Sequence, residues 1–342
     1  MNKIGVGIVG YGFSSTTFHI PLLQTIEDYE IRAIVSSQEE KVKASLPHVE
    51  VVTTIDELVM QENIDLIIIT SPNTTHFEYA KKAILCGKHV VVEKPFVVSV
   101  EEGEELIKLA KRHDVVLSVY HNRRLDNDFR TVQKLLQDDT IGKVYTYEAH
   151  FDRFRPNVRD RWREHDLPGS GILFDLGSHL IDQALHLFGM PRAVYADVIN
   201  QRPGSQIDDY FHIILHYEEM RVILHSSSHV KYAGPHFSIH GEKGSIVKYG
   251  MDSQEGQLKV GMKPGDVDYG VDAIHMYTVL STEEQEIRIP TEIGCYETYY
   301  KGVRDAIMKQ EMPPVTAEEA LNVIRVITAC LQSNQQGIKV KW

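Results

Sequence analysis

Along the first 121 residues, short β-branched runs alternate with amphipathic stretches. This pattern predicts a parallel sheet whose strands are buried on both faces by crossover helices. The runs predict strands at Ile4–Val9, Ile31–Val35, Val49–Val52, Leu66–Thr70, His89–Val92 and Val115–Tyr120. Between them, Thr54-Ile-Asp-Glu57, Thr75-His-Phe-Glu78 and Ser99-Val-Glu-Glu102 have the spacing of capping boxes, in which a hydroxyl and a carboxylate satisfy the exposed N–H groups of a helix start. After Arg124 the texture changes. One helical stretch at about 126–137 precedes long alternating stretches near 143–154, 192–200, 209–218, 220–230 and 236–249, which predict antiparallel strands. Helical patterns at about 295–310 and 316–335 follow, the second opened by Thr316 and Glu319 as another capping box. The expected architecture is an α/β domain with a doubly wound parallel sheet over 1–123. An α+β domain over 124–342 follows, with a large, mostly antiparallel sheet packed on helices.

Composition narrows the partners. The 342 residues are 42% apolar and 25% charged, an ordinary globular balance. Thirty-six Lys and Arg against 48 Asp and Glu leave a net charge of -12, so neither nucleic acid nor an anionic membrane surface is expected as a partner. Any phosphate must be held locally. Cys86, Cys295 and Cys330 lie far apart, which predicts no disulfide framework and suits a reducing cytoplasm. The run Ile4 to Phe13 reads as a strand and a turn rather than a signal peptide. No apolar run approaches the ~18–20 residues of a membrane span.

The first strand runs into Gly7-Ile-Val-Gly10-Tyr-Gly12-Phe13-Ser-Ser15, which opens a helix. Such a turn lets backbone N–H groups approach a pyrophosphate at the positive end of a helix, the arrangement of a Rossmann dinucleotide site. Ser15 stands where a third glycine is usual, so an ordinary strand-to-helix turn is the competing reading. NAD-preferring folds place an acidic side chain about 20 residues beyond the turn. Here the second strand ends in Ser36-Ser37-Gln38, small neutral residues able to donate hydrogen bonds to a 2′-phosphate. NADP is therefore expected, with NAD as the alternative. Positive charge near that phosphate must come from Lys41, Lys43 or neither.

Three further segments stand out: Glu93-Lys94-Pro95, Tyr120-His-Asn122-Arg123-Arg124, and Gly169-Ser-Gly-Ile-Leu-Phe-Asp175-Leu-Gly-Ser-His179-Leu-Ile-Asp182. With the glycine turn, they make the chain similar, essentially end to end, to the glucose-fructose oxidoreductase, inositol dehydrogenase and rhizopine catabolism family. Within it, Tyr120–Asp128, Trp162-Arg163 and Asp175–Met190 most resemble the branch of NADP-dependent scyllo-inositol dehydrogenases. The resemblance implies hydride transfer between a sugar or polyol carbon and the nicotinamide, with Lys94, Asp175 and His179 around the reacting hydroxyl. It also implies that Ser71, Pro72, Asn73 and His76 run along the dinucleotide with Gly10, Gly12, Phe13, Ser36, Ser37, Glu93 and Lys94. Asn122 would face the nicotinamide or the substrate, as would Arg123, and Arg163 would reach the cofactor. Relatives assemble through the open face of the second sheet, so a homodimer or homotetramer is expected, the more so because strands such as Phe211–Leu215 and Val222–His225 look apolar enough to need cover.

The residues support that chemistry independently. Oxidising an alcohol requires a group that takes its proton, and a histidine titrates near neutral pH, which suits His179 as the base. Asp175 lies four residues earlier, on the same face of a helix, where it could orient the imidazole or hold a substrate hydroxyl. Lys94 would stabilise developing alkoxide charge, from a strand end facing a cleft between the domains. No Cys cluster or His-x-x-x-His completes a metal set, so no metal is expected. Asp182 could support His179, His186 reads as structural, and His212, His216 and His225 read as packing or surface residues. Two alternatives stay open: the same chemistry on an aldose, anhydro-sugar or dihydrodiol, and a non-catalytic nucleotide-binding regulator.

Overall fold

The computed structural model describes residues 3–159 and 164–342. They form two compact units that are not continuous along the chain. One comprises Met1–Asn122, Gln254–Tyr269 and Cys295–Leu321, and the other Arg123–Ser253, Gly270–Gly294 and Asn322–Trp342.

The first unit holds six strands: β1 (Ile4–Val9), β2 (Tyr29–Val35), β3 (Glu50–Val52), β4 (Leu66–Ile69), β5 (His89–Val92) and β6 (Leu117–Val119). They pair in parallel in the order β3-β2-β1-β4-β5-β6, which reverses between β1 and β4. That reversal opens a crevice at the carboxyl ends of the two strands, where α/β folds bind ligands. β1 and β4 are buried along their whole length, as two-sided cover requires. The boxes at Thr54 and Ser99 form, each hydroxyl accepting the N–H three residues on. Thr316 and Glu319 cap each other reciprocally. The box at Thr75 does not form: a 3₁₀ turn, Asn73–Thr75, extends the helix upstream, and the Thr75 hydroxyl bonds Pro72 O and Ser71 Oγ instead.

The second unit holds nine strands: β7 (Val144–His150), β8 (Ala193–Ile199), β9 (Tyr210–His216), β10 (Arg221–Ser227), β11 (Phe237–Gly241), β12 (Gly244–Lys248), β13 (Thr278–Thr282), β14 (Glu286–Ile289) and β15 (Val340–Lys341). Their order is β14-β13-β12-β11-β7-β10-β9-β8-β15. Every pair is antiparallel except β7 with β10, so the sheet is mixed. The stretch 236–249, expected as strand, is the hairpin of β11 and β12. One face is core: Phe211, Ile213, Leu215, Val222 and Leu224 are buried within the chain itself. The apolar side chains expected to need cover from a second copy therefore already have it. The other face is half-exposed and mixed, carrying Glu148, His150, Tyr210, His212, Ile214, Ile223 and His225.

Candidate active site

In the first unit the glycine turn follows β1. Gly10 has φ +102°, and a Cβ there would stand 3.0 Å from Thr70 Oγ1, so both backbone conformation and packing call for glycine. Gly12 is different: a Cβ there would have nothing within 4 Å. The Ser15 hydroxyl, in the third glycine's place, turns inward and donates to Gly12 O at 3.0 Å. Helix begins at Phe13 and passes through a π turn, Ser15–His19. An open backbone at a helix start with no bulk above it fits a pyrophosphate, by hydrogen bonds and by the helix dipole. The exposed ring of Phe13 lies edge-on to Phe18, with Lys259 Nζ 5.2 Å from its centroid.

At the end of β2, Ser36 Oγ accepts the Gln38 N–H at 3.0 Å, and Ser37 is exposed. Of the two lysines considered there, Lys43 donates to Val49 O at 2.8 Å, whereas Lys41 Nζ lies 6.0 Å from the ring centroid of Tyr11 in the glycine turn. After β4, Ser71, Pro72 and Asn73 lead into the next helix. His76 is wholly buried. Its Nδ1 is 2.8 Å from Pro95 O and its Nε2 3.0 Å from Ser71 O, so the ring braces the loop after β4 against the loop after β5. Burial lowers its pKa, against the opposing pull of the two carbonyl contacts.

Glu93 and Lys94 follow β5. Burial would raise the Glu93 carboxyl, but His19 Nε2 at 2.8 Å, the Ser14 hydroxyl and the Lys94 charge outweigh it and hold the pKa at about 2. His19 is itself anchored by the Tyr300 hydroxyl and packed against Tyr120. The backbone N–H of Lys94 donates to Glu93 Oε2 at 2.9 Å, and its side chain is half-buried. Asn122 is buried just past β6. Ser14, His19 and Tyr300 escaped the sequence reading because the Tyr300 contact spans 281 residues.

In the second unit, Gly169 and Gly171 have φ +78° and +90° and lead into another π turn, Leu173–Gly177, which continues as the helix Ser178–Phe188. A Cβ on Gly171 would overlap Asp208 Oδ1 at 1.8 Å, and Asp208 Oδ2 accepts the Leu173 N–H at 2.7 Å. This clasp sets the start of the turn that carries Asp175. Asp175 is half-exposed, with Arg153 Nη1 3.8 Å from its Oδ2. His179 is buried, its ring nearly parallel to Phe151 at 6.5 Å. Arg123 and Arg153 both lie over the Phe151 ring, at 5.0 and 4.7 Å from its centroid. Asp182 is gripped by Arg124 through bonds of 2.9 and 2.7 Å, and so serves as that guanidinium's anchor. His186 is exposed and meets Gln133. The Phe151 platform was not legible, because an aromatic at a strand end has no distinctive spacing. Arg163, expected at the cofactor, and the neighbouring Trp162 lie outside the described residues.

A family model described as the oxidoreductase family's NAD-binding Rossmann fold matches residues 4–121, and one described as that family's C-terminal alpha/beta domain matches 133–342. These are the two domains of the glucose-fructose oxidoreductase, inositol dehydrogenase and rhizopine catabolism family. The chain belongs to this family. It is 44% identical to scyllo-inositol 2-dehydrogenase (NADP(+)) IolW of Bacillus subtilis, over 98% of this chain and 95% of the relative. It is 46% identical to the oxidoreductase YdgJ of Escherichia coli, over 97% and 96%. The solved structure of the oxidoreductase YvaA of Bacillus subtilis matches with a TM-score of 0.97 at 43% identity, covering 100% of this chain and 99% of that one. The protein is thus a nicotinamide-dependent oxidoreductase. Among the described residues no helix is long and apolar enough to cross a membrane.

Proposed function

We propose that the protein oxidises and reduces a CH–OH group of a cyclic polyol, an inositol such as scyllo-inositol, with NADP(H) as cofactor. The observation that carries this reading is the Asp175 and His179 pair, held on one helix start beside Arg153 and the Phe151 platform. A nicotinamide bound along the glycine turn supplies the hydride acceptor or donor. The protein's own groups handle the proton and the polar oxygens. His179 takes the proton of the reacting hydroxyl and returns it in reduction. Lys94 donates to the same oxygen and stabilises its developing charge. Asp175, with the Arg153 guanidinium 3.8 Å away, accepts from a hydroxyl of the ring, and Asn122 adds a further polar contact. Several hydroxyls around a ring match such a set of donors and acceptors, and the similarity to an inositol dehydrogenase favours that class.

For the cofactor, Ser36, Ser37 and Lys41 favour the 2′-phosphate, and no carboxylate at the end of β2 repels it. Gly10, Gly12, Phe13, Ser71, Pro72, Asn73 and Glu93 line the remainder of the assigned path, while His76 holds it in shape. We place the protein in a reducing cytoplasm, in keeping with three free cysteines, and assign the half-exposed sheet face to a homodimer or homotetramer. Sedimentation as a monomer at micromolar concentration would remove that assembly.

The test is a turnover screen with NADP and NAD across inositol isomers, aldoses and their keto derivatives. The expected outcome is the highest kcat/KM for an inositol with NADP. A clear preference for an aldose overturns the substrate, a preference for NAD overturns the cofactor, and binding of nucleotide without turnover on any polyol overturns the enzyme reading.

A further inference from the structure

The half-exposed face of the nine-stranded sheet carries a row of polar side chains set by strand register. β10 pairs with β7 on one side and β9 on the other, placing His225 opposite both His150 and His212, and Asp197 of β8 opposite His212. The His225 ring centroid is 5.2 Å from that of His150 and 5.6 Å from that of His212. Asp152, two residues beyond His150, turns its carboxylate into the gap between them. Its Oδ2 is 3.4 Å from His150 Nδ1 and its Oδ1 3.5 Å from His225 Nε2. Those separations exceed the roughly 2.7–3.2 Å of a normal N–H···O bond. One carboxylate oxygen faces each ring, each close to the ~3.4 Å ligand-to-ligand separation of a zinc site with bonds of ~2.0–2.1 Å. One donor atom from each of the three residues lies within 4.8 Å of the others.

From this geometry we propose that His150, Asp152 and His225 bind a divalent transition-metal cation of the zinc type, at a structural site on the sheet face. Two imidazoles and one carboxylate suit zinc, cobalt or nickel, whereas calcium and magnesium favour sets made of oxygen alone. The coordination is prepared on both sides. The Ser227 N–H donates to Asp152 Oδ1 at 3.0 Å and fixes the carboxylate, an orienting contact of the kind metal ligands need. Across the gap, the His225 ring is held between those of His150 and Tyr210, with centroids 5.2 Å from each. All three ligands come from one chain, on the sheet face assigned above to assembly. The cation would fasten β10 to the residues just past β7, the segment that continues through Phe151 to Arg153.

The test uses tag-free, full-length protein stripped with EDTA. Calorimetric titration with Zn²⁺ alone, at pH 7.5, is expected to give one strong site per chain, and Co²⁺ a visible d–d band typical of low coordination number. The double variant His150→Ala/His225→Ala should bind Zn²⁺ at least ~100-fold more weakly and lose the Co²⁺ band. It should also lose the rise in Tm that Zn²⁺ gives the wild type, because a ligand stabilises only the fold that binds it. Cys86→Ser, removing an exposed thiol, should leave Zn²⁺ binding unchanged. Should the double variant be unstable in EDTA, the milder His225→Gln is expected to show the same loss of the band and of the Tm shift. Absence of Zn²⁺ binding by wild type at ~100 µM, or equal binding by wild type and the histidine variants, overturns the proposal.

Discussion

The segment Gly10–His19 and the segment Gly169–Gly177 are built alike and used differently. Each begins with a glycine in the left-handed region, passes through a π turn and continues as α-helix. Yet Gly12 looks into open space, while Gly171 is pressed against Asp208. In the first segment glycine leaves open space beside the backbone, where the cofactor is proposed to approach. In the second it lets another part of the chain reach the backbone, and the locked turn then aims Asp175 and His179. π turns insert a residue into a helix and are frequent at functional sites, and here one lies in each segment proposed to work. The neighbouring carboxyls differ in the same sense: Glu93, bonded by Ser14 of the first segment, is held down to about 2, and Asp208, under the second, is pushed up to about 6 by burial.

The sharpest test of the division of labour is chemical. His179→Asn and Lys94→Ala should each lower kcat by at least ~10²-fold with the cofactor Kd nearly unchanged, the scale for losing a positioned acid or base. Near-normal turnover would remove either residue from the mechanism. Next comes Gly171→Ala, which forces a side chain both into Asp208 and into a disfavoured backbone region. It should cost about 3 kcal/mol in urea unfolding and misaim Asp175, so activity falls even where the variant is folded. Wild-type stability would break the idea that this turn is locked. Gly12→Ala should do the reverse: an unchanged Tm, but a cofactor Kd raised about 10-fold, or about 1.4 kcal/mol, because a methyl group now stands where the pyrophosphate approaches. A lowered Tm with unaltered affinity would mean the turn is closed.

The smallest effects are in pH dependence. Asp208 has a folded pKa above its usual 3.8, so the stability it contributes is full below that value and is lost as pH rises through about 6. Asp208→Asn should therefore compare more favourably with wild type at pH 7 than at pH 4 in chemical denaturation. Glu93 has the opposite sign: its stabilisation is present above the usual 4.5 and is lost as pH falls towards about 2. Glu93→Gln should be less stable than wild type at pH 7, by a gap that narrows below pH 4.5. Parallel pH curves for each variant and its parent would show that the two carboxyls do not titrate differently on folding.

What could be read from the sequence divides along the same line. β1 and β5 fall on the predicted residues because each is a short apolar run closed by turn chemistry, and local signals suffice for a strand buried on both faces. The boxes at Thr54, Ser99 and Thr316 are equally local. Thr75 failed because Pro72 and Asn73 favour a 3₁₀ turn that takes over its capping role. The strands at Thr278–Thr282, Glu286–Ile289 and Val340–Lys341 went unread, since they are short, exposed or at the sheet edge, with little alternation to announce them. In the site, motif residues were legible by type and spacing. His19, Tyr300, Phe151 and the Gly171–Asp208 clasp were not, because each depends on a partner far away in the chain.

The chain's five passages between its two units bear on how the protein can be cut. A fragment ending at residue 123 would contain every strand of the parallel sheet and the whole glycine turn, yet lack residues 254–269 and 295–321 of the same unit. With them go Tyr299, whose hydroxyl meets Ser118 at 2.7 Å, and Tyr300, whose carbonyl accepts from Tyr29 at 2.8 Å and whose hydroxyl holds His19. Truncation there would uncover the buried Ser118, Tyr29 and His19, the last being the histidine that fixes Glu93. The nucleotide-binding half is thus written in three instalments, and a graft of it into another protein must carry the third, which arrives only after most of the other unit has been made.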